Sequence, residues 1–238
     1  MAMQFGLTQN KTCGYLDEQQ ERLLVAVPDA EHPSSIASYH RLVSQGFRRS
    51  HNDLYRPYCD ACNACQSIRV LVQDFSPSRR FRRIIKKNND LIALAFSEPT
   101  AEHSELFCRF IEQRHADGAM YPPDPEAFWR WISCDWLAPL MLEWRDNNGR
   151  LLLVSIADRL PDAYSAVYSF FEPSAEKRSL GIFAILEQWR LAKQDNKGYL
   201  YLGYQIDACS KMNYKTQFAP YERLIGNQWQ KAVKSTAT

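Results

Sequence analysis

The feature that most restricts what this chain can fold into lies between residues 139 and 205. There, apolar runs are cut by turn signals and then followed by one helical stretch and one more apolar run. Pro139 to Trp144 and Arg150 to Asp158 flank Asp146-Asn-Asn-Gly149, and a polar, glycine-ended turn between two such runs predicts a β-hairpin. Pro161-Asp162 marks a second turn before a strand over Tyr164 to Phe171. Ser179-Leu-Gly181 opens a helix that continues to about Lys193, and Gly198 closes the loop that follows. Tyr199-Leu-Tyr-Leu then reads as a buried strand. Three strands, a helix and a strand in that order suit several architectures on periodicity alone, an α+β fold on a mixed sheet among them.

The residues just past that last strand are the candidate reaction centre. Gln205 and Asp207 are followed within eight residues by Lys211, Asn213 and Lys215. Sheets that carry helices build their sites at the carboxyl ends of strands, and ionisable groups are crowded at this one.

Upstream, residues 1–98 read as a small mixed domain and 99–238 as a larger one. Leu23 to Val27 predicts a strand stopped by Pro28, and residues 36 to 46 predict a helix capped by Ser34 or Ser35 and ended by Gly46. Ser67-Ile-Arg-Val-Leu-Val72 alternates like a strand. Helices are expected over 102–116 and 127–136, separated by Gly118-Ala-Met-Tyr-Pro-Pro123, whose prolines forbid a helix.

Charge is divided along the chain. Residues 1–90 hold thirteen Lys/Arg against nine Asp/Glu, a net +4, so the remainder of this +2 chain carries −2. Most of the excess sits in Ser78 to Asn88, where Arg79, Arg80, Arg82, Arg83, Lys86 and Lys87 stand with no acidic residue. As a helix this run puts Phe81, Ile84 and Ile85 on one face and the cations around it, which suits a surface that lies on phosphates. A solvated helix face would show the same pattern.

The first thirty residues lack the apolar run of a signal peptide, and no stretch approaches the roughly eighteen apolar residues of a membrane span. A cytoplasmic protein, with no membrane or DNA partner, is expected. Seven cysteines then point to thiols or metal ligands rather than disulfides. Cys59, Cys62 and Cys65 recur at three-residue intervals, and Cys13 is the remaining cysteine of that half. Thiolates at this spacing suit a structural zinc or an iron–sulfur cluster, the alternative being ordinary thiols. Cys209 is a poor nucleophile candidate, because none of the five histidines stands in a pattern that supplies a base.

Gly46-Phe-Arg-Arg-Ser50, Tyr55-Arg-Pro57, Tyr168-Ser-Phe-Phe-Glu-Pro173, Ser179-Leu-Gly181 and Leu202-Gly-Tyr-Gln-Ile-Asp-Ala-Cys-Ser-Lys-Met-Asn-Tyr-Lys215 carry a resemblance that runs in order over nearly the whole chain. The chain resembles the arginyl-tRNA-protein transferase family, and within it the bacterial leucyl-transferring branch. That resemblance implies an amino-terminal domain holding the cysteines and an acetyltransferase-like carboxyl-terminal domain. It also implies transfer of leucine from leucyl-tRNA to the amino-terminal amine of proteins beginning with Asp or Glu, which marks them for degradation through a downstream adaptor. The eukaryotic arginyl branch pairs its first cysteine as Cys-x-x-Cys, whereas Leu16 stands at that second position here. An arginyl donor is therefore less expected than a leucyl one.

An aminoacyl ester is already activated, so transfer requires no cofactor and no covalent intermediate. Positioning amine against ester can lower the barrier by roughly 7 to 11 kcal/mol, and a base that accepts the ammonium proton adds about a hundred- to ten-thousandfold. Asp207, with Gln205 and Glu172, is the candidate set for orienting and deprotonating the amine. An acceptor that begins with a carboxylate calls for a guanidinium. Arg48, Arg49 and Arg56 are the candidates, with Lys211 and Lys215 in reserve. Tyr201 and Phe171, with Phe170 and Met120, are candidates for the leucyl pocket. Arg178 joins the tRNA-binding set through the loop Arg178-Ser-Leu-Gly-Ile-Phe183, which would also suit the pyrophosphate of coenzyme A. There Phe183 is expected to crowd such a cofactor. An acyl-CoA N-acyltransferase, or a tRNA- or degron-binding module without catalysis, are the alternatives.

Overall fold

Residues 3–28 and 36–232 are described in a computed structural model of the chain. The first part builds β1 (Met3–Leu7), β2 (Lys11–Thr12), β3 (Gln20–Glu21), β4 (Leu23–Pro28), α1 (Ile36–Ser44), β5 (Arg48–Ser50) and β6 (Asp53–Pro57). An antiparallel sheet in the order β1-β4-β6-β5 results, with β2 and β3 paired beside it. The expected cap of α1 at Ser34 or Ser35 lies outside the described residues. Gly46 ends the turn after α1 at φ 90°, where a side chain would also meet Leu224 at 3.0 Å.

The rest of the chain supplies β7 (Gln66–Leu71), α2 (Arg79–Lys87), β8 (Ile92–Phe96), α3 (Ala101–Arg114), α4 (Pro125–Ile132), β9 (Leu140–Arg145), β10 (Leu151–Leu160) and β11 (Ala163–Phe171). It continues with α5 (Leu180–Gln194), β12 (Tyr199–Gln205), α6 (Ser210–Asn213), β13 (Tyr221–Ile225) and β14 (Gln228–Ala232). One sheet of eight strands forms in the order β14-β13-β7-β12-β11-β10-β9-β8. The expected division after residue 98 is therefore not where the sheets divide. β7 lies between β13 and β12, and β8 forms the edge beside β9, so residues 66–96 are built into the large sheet.

Alternation along β10 explains the layers, because successive side chains point to opposite faces. Ser155 accepts a hydrogen bond from Gln188 on α5 at 2.7 Å, while its neighbours Val154 and Ile156 belong to a cluster with Leu106, Phe107 and Phe128 of α3 and α4. On the α5 side, α2 adds Phe81 and Ile84, and Phe81 stacks on Phe218 with centroids 4.9 Å apart.

β11 and β12 are the only parallel neighbours among the described strands, and α5 connects them. Their pairing lasts three residues, from Ala163 opposite Tyr199 to Ser165 opposite Tyr201, and then the strands part. On its other side β12 loses register with β7 between Tyr201 and Tyr204, where Gly203 takes φ 79°. The arrangement is α+β, as expected, with a mixed sheet opened beside the helix that links its parallel strands.

Candidate functional site

The gap between β11 and β12 is entered from the small sheet. Arg48 and Arg49 are consecutive on β5, so their side chains leave on opposite faces. Arg49 turns into the interior and is 3% exposed. Its Nε and Nη2 donate to the two carboxylate oxygens of Asp158 at 2.9 and 2.8 Å, and its Nη1 to the Ile132 carbonyl at 2.9 Å. Tyr39 of α1 donates its hydroxyl to the same carboxylate at 2.7 Å. Buried and bonded at all three nitrogens, Arg49 is closed to an acceptor protein, and its expected substrate role gives way to holding the two sheets together.

Arg48 turns into the gap. Its Nη2 donates to the Ala166 carbonyl of β11, just past the last paired residue, and a Cβ at Gly203 would lie 2.9 Å from its Nη1. Glycine at 203 therefore serves two ends, the positive φ and the room for a guanidinium. Nη1 itself is buried without a hydrogen-bond partner among the described residues. A desolvated donor on a cation is costly unless a ligand or water completes it.

The end of β12 supplies the rest. Gln205 is fully buried, its Nε2 donates to Asp207 at 3.0 Å, and its Oε1 has no partner among the described residues. Asp207 also accepts from Arg223 of β13 at 2.7 Å, and that hydrogen bond, then the one from Gln205, holds its carboxyl below the usual carboxylate range. A carboxylate so stabilised is a weak base, which disfavours the expected deprotonating role. Lys215 is the better match. Its ammonium is buried against the Tyr204 carbonyl, and burial, followed by the nearby Arg48 charge, pulls its pKa down to about 7. Such a group accepts a proton near neutral pH.

The thiol loops lie over this junction. Burial pushes the Cys65 thiol up to about 12, and the nearby Cys59, Cys13 and Cys62 add to the shift. The four cysteines are thus neighbours, but no three His, Cys, Asp or Glu side chains converge closely enough for a metal among the described residues. The expected zinc or iron–sulfur ligand set does not form in this geometry. The Tyr15 hydroxyl is raised first by burial and then by Tyr55, Cys65, Glu21 and Cys209, which brings this loop and the residues after β12 within electrostatic reach of each other. The Tyr204 hydroxyl donates to the Gly46 carbonyl at 2.9 Å and to that of Tyr55 at 3.2 Å, tying the end of β12 to the small sheet.

Other expected site residues are placed elsewhere. Glu172 is 5% exposed and caps the 3-10 turn Pro173–Arg178 through Ser174, with Arg150 at 3.2 Å and Arg109 at 3.5 Å, so its oxygens are committed. Lys211 pairs with Asp117 at 2.6 Å on the surface. Arg56 donates to the Gln45 carbonyl at 3.1 Å and sits over Phe47. Tyr201 is buried against Trp229 and accepts from Arg69 at 3.0 Å, while Phe170 is fully buried beside α3 and α4. These two belong to different core clusters and cannot share a leucyl pocket; Phe171 and Met120, partly buried in one cluster, remain together. Phe183 points into the core against Trp144 rather than into the loop before it.

Of the basic residues, Arg178 is taken by Asp90 through two hydrogen bonds of 2.8 Å, and Arg82 donates to the Pro77 carbonyl at 2.7 Å. Arg79, Arg83 and Lys86 have no partner among the described residues. Arg80 reaches Gln217 at 2.6 Å, and Lys87 reaches the Lys177 carbonyl at 2.7 Å. Asp158, Arg223 and Tyr15 carry no local pattern that would have singled them out.

Comparison with known proteins gives matches along the chain. Residues 11–83 match the family described as arginine-tRNA-protein transferase, N terminus, and residues 102–225 match its C terminus. An aspartate/glutamate leucyltransferase of Pseudoalteromonas atlantica is 47% identical over 228 residues, covering 96% of this chain and 97% of that one. Another of that name, from Aeromonas hydrophila, is 46% identical, covering 95% and 94%. Among solved structures, the tandem GNAT protein from the clavulanic acid biosynthesis pathway (without AcCoA) overlays distantly, with a TM-score of 0.45 at 10% identity over 88% of this chain and 63% of that one.

Proposed function

This chain belongs to the arginine-tRNA-protein transferase family, and from that premise we infer an aminoacyltransferase that moves leucine from leucyl-tRNA to the amino-terminal amine of proteins beginning with Asp or Glu. Its products carry a new amino-terminal leucine, which a degradation adaptor reads. The reading places the enzyme in the cytoplasm, and among the described residues no helix is long and apolar enough to cross a membrane.

The observation that carries the residue assignment is the guanidinium of Arg48 in the strand gap, with Nη1 buried and unpartnered. In this reading it receives the acceptor's first side chain, whose carboxylate supplies both the missing acceptor and the opposite charge. The acceptor amine then lies toward the end of β12. Gln205 Oε1 accepts from it, and Asp207, kept ionised by Arg223, fixes the amide of Gln205. Lys215 takes the ammonium proton, and the freed nitrogen lone pair attacks the leucyl carbonyl. The bond from that carbon to the ribose oxygen breaks as the attacking nitrogen gives its second proton to that oxygen, the amide forms, and Lys215 releases the first proton to solvent. Phe171 and Met120 receive the leucyl side chain. Arg79, Arg80, Arg83, Lys86 and Lys87 face the donor RNA, whose phosphates complement their charge.

The test is transfer from leucyl-tRNA and arginyl-tRNA, side by side, to peptides beginning with Asp, Glu or Ala. Leucine on the Asp and Glu peptides alone supports the reading. Arginine transfer, or equal labelling of the Ala peptide, contradicts it.

A further inference from the structure

Away from the strand gap, a cavity of about 200 Å³ is lined by Arg80, Arg83, Ile84, Lys87, Lys177 and Ser179. Four of its six lining residues are cationic and none is acidic. The carboxylates that flank it in sequence are neutralised by other partners. Asp90 is taken by Arg178 through two hydrogen bonds of 2.8 Å, and Glu176 by Arg114 at 2.7 Å.

The cluster is held in place by neutral anchors. Ser78 caps α2, Phe81 and Ile84 enter the core, and the Asn88 side chain donates to the Ile84 and Arg178 carbonyls at 2.9 Å each. Lys87 is fixed by the Lys177 carbonyl at 2.7 Å. Arg83 and Lys177 have no side-chain partner among the described residues. Four cations held together without a counter-charge repel one another, and an anion in the cavity removes that cost.

We propose that this cavity is a built phosphate site and that the donor RNA fills it with one phosphodiester of its single-stranded, aminoacylated end. The proposal rests on the leucyl-transfer reading and adds the place where the donor is gripped. The choice of that end comes from Arg80, whose Nη1 donates to Gln217 at 2.6 Å in the 3-10 turn Tyr214–Gln217, the turn that also carries Lys215. The cavity is thus tied directly to the segment that bears the proposed proton acceptor. A lone phosphate and a diphosphate-bearing coenzyme share the chemistry, and the experiment separates them from RNA.

The experiment uses the full chain with Arg83→Gln/Lys177→Gln, and with Arg130→Gln/Lys193→Gln on α4 and α5 as a charge-matched pair outside the basic cluster. Initial rates are taken against leucyl-tRNA at several KCl concentrations, with pyrophosphate and coenzyme A as competitors. The cavity pair is expected to raise KM for leucyl-tRNA about tenfold and to flatten the log KM against log salt slope by roughly 0.7, the share of one single-strand phosphate. Its kcat and its KM for the acceptor peptide stay unchanged, and pyrophosphate loses its competition with leucyl-tRNA. Should the pair fail to fold, Arg83→Gln alone, which breaks no hydrogen bond among the described residues, is expected to raise that KM about threefold. The proposal is overturned if KM and slope match wild type, if the outside pair changes both equally, or if only pyrophosphate or coenzyme A competition is lost while leucyl-tRNA kinetics stay intact. A wild-type chain that transfers leucine while the cavity pair behaves like it sinks this site alone. A wild-type chain that transfers none sinks the reading beneath it, and this site with it.

Discussion

Arg49 and Asp158 meet through two hydrogen bonds of 2.9 and 2.8 Å between side chains 1% and 0% exposed, joining the small sheet to β10 of the large one. Because Arg48 immediately precedes Arg49 on β5, this buried pair sets where its guanidinium enters the strand gap. Removing one partner strands the other charge in the interior, at a cost of about 3 to 5 kcal/mol. Asp158→Asn is therefore expected to lose stability of that order in urea unfolding. The double variant Arg49→Met/Asp158→Leu, which leaves no orphaned charge, loses much less.

Gly203→Ala combines a left-handed backbone, costing about 1 to 2 kcal/mol for a residue with a Cβ, with a methyl 2.9 Å from Arg48 Nη1. The expected outcome is a stability loss of that size and a fall in kcat/KM of at least about tenfold, because the guanidinium has to move. A variant that loses stability but keeps kcat/KM would separate Arg48 from the reaction.

Lys215 yields a prediction on activity against pH. With its pKa near 7, the neutral amine that can accept a proton is lost as pH falls below that value, so kcat/KM should decline on the acid side. The acceptor's own amine titrates in the same direction, so the comparison is with Lys215→Arg, which stays protonated. That variant should fall by about a hundredfold or more and keep only the limb belonging to the acceptor amine.

The same lysine predicts an inverse effect on stability. Its folded pKa, about 7, lies below its ordinary value, so the unfolded chain binds the extra proton between those two values and stability rises with pH through that window. At neutral pH, Lys215→Met is expected to be more stable than wild type by on the order of 2 kcal/mol while losing activity. Equal or lower stability at pH 7, measured by urea unfolding, would contradict the burial argument.

The fold was legible where local pattern and final geometry agree. The turn at Asp146 to Gly149 is closed by the Asp146 carboxylate accepting from Asn148 and Arg150 N–H groups at 2.9 and 3.0 Å, the chemistry its residues announce. α2 ran where its apolar face placed it. The strands β13 and β14 escaped notice although Gly226 and Asn227, both at positive φ, mark the tight turn between them. Within the site, a period of two says that Arg48 and Arg49 part ways but not which one enters the gap, since that depends on Asp158, more than a hundred residues away. The low proton affinity of Lys215 is likewise a product of burial, which no neighbour in sequence reveals.

The claim at the centre of this account is that Arg48 reads the acceptor's first side chain. Its most direct test is kcat/KM for leucyl transfer to two peptides differing only in Asp or Asn at position one, with wild type and Arg48→Gln. The account predicts that the Asp preference, at least tenfold in wild type, collapses toward one in the variant because the Asp peptide alone loses its partner. Equal losses on both peptides, with the preference intact, would contradict it.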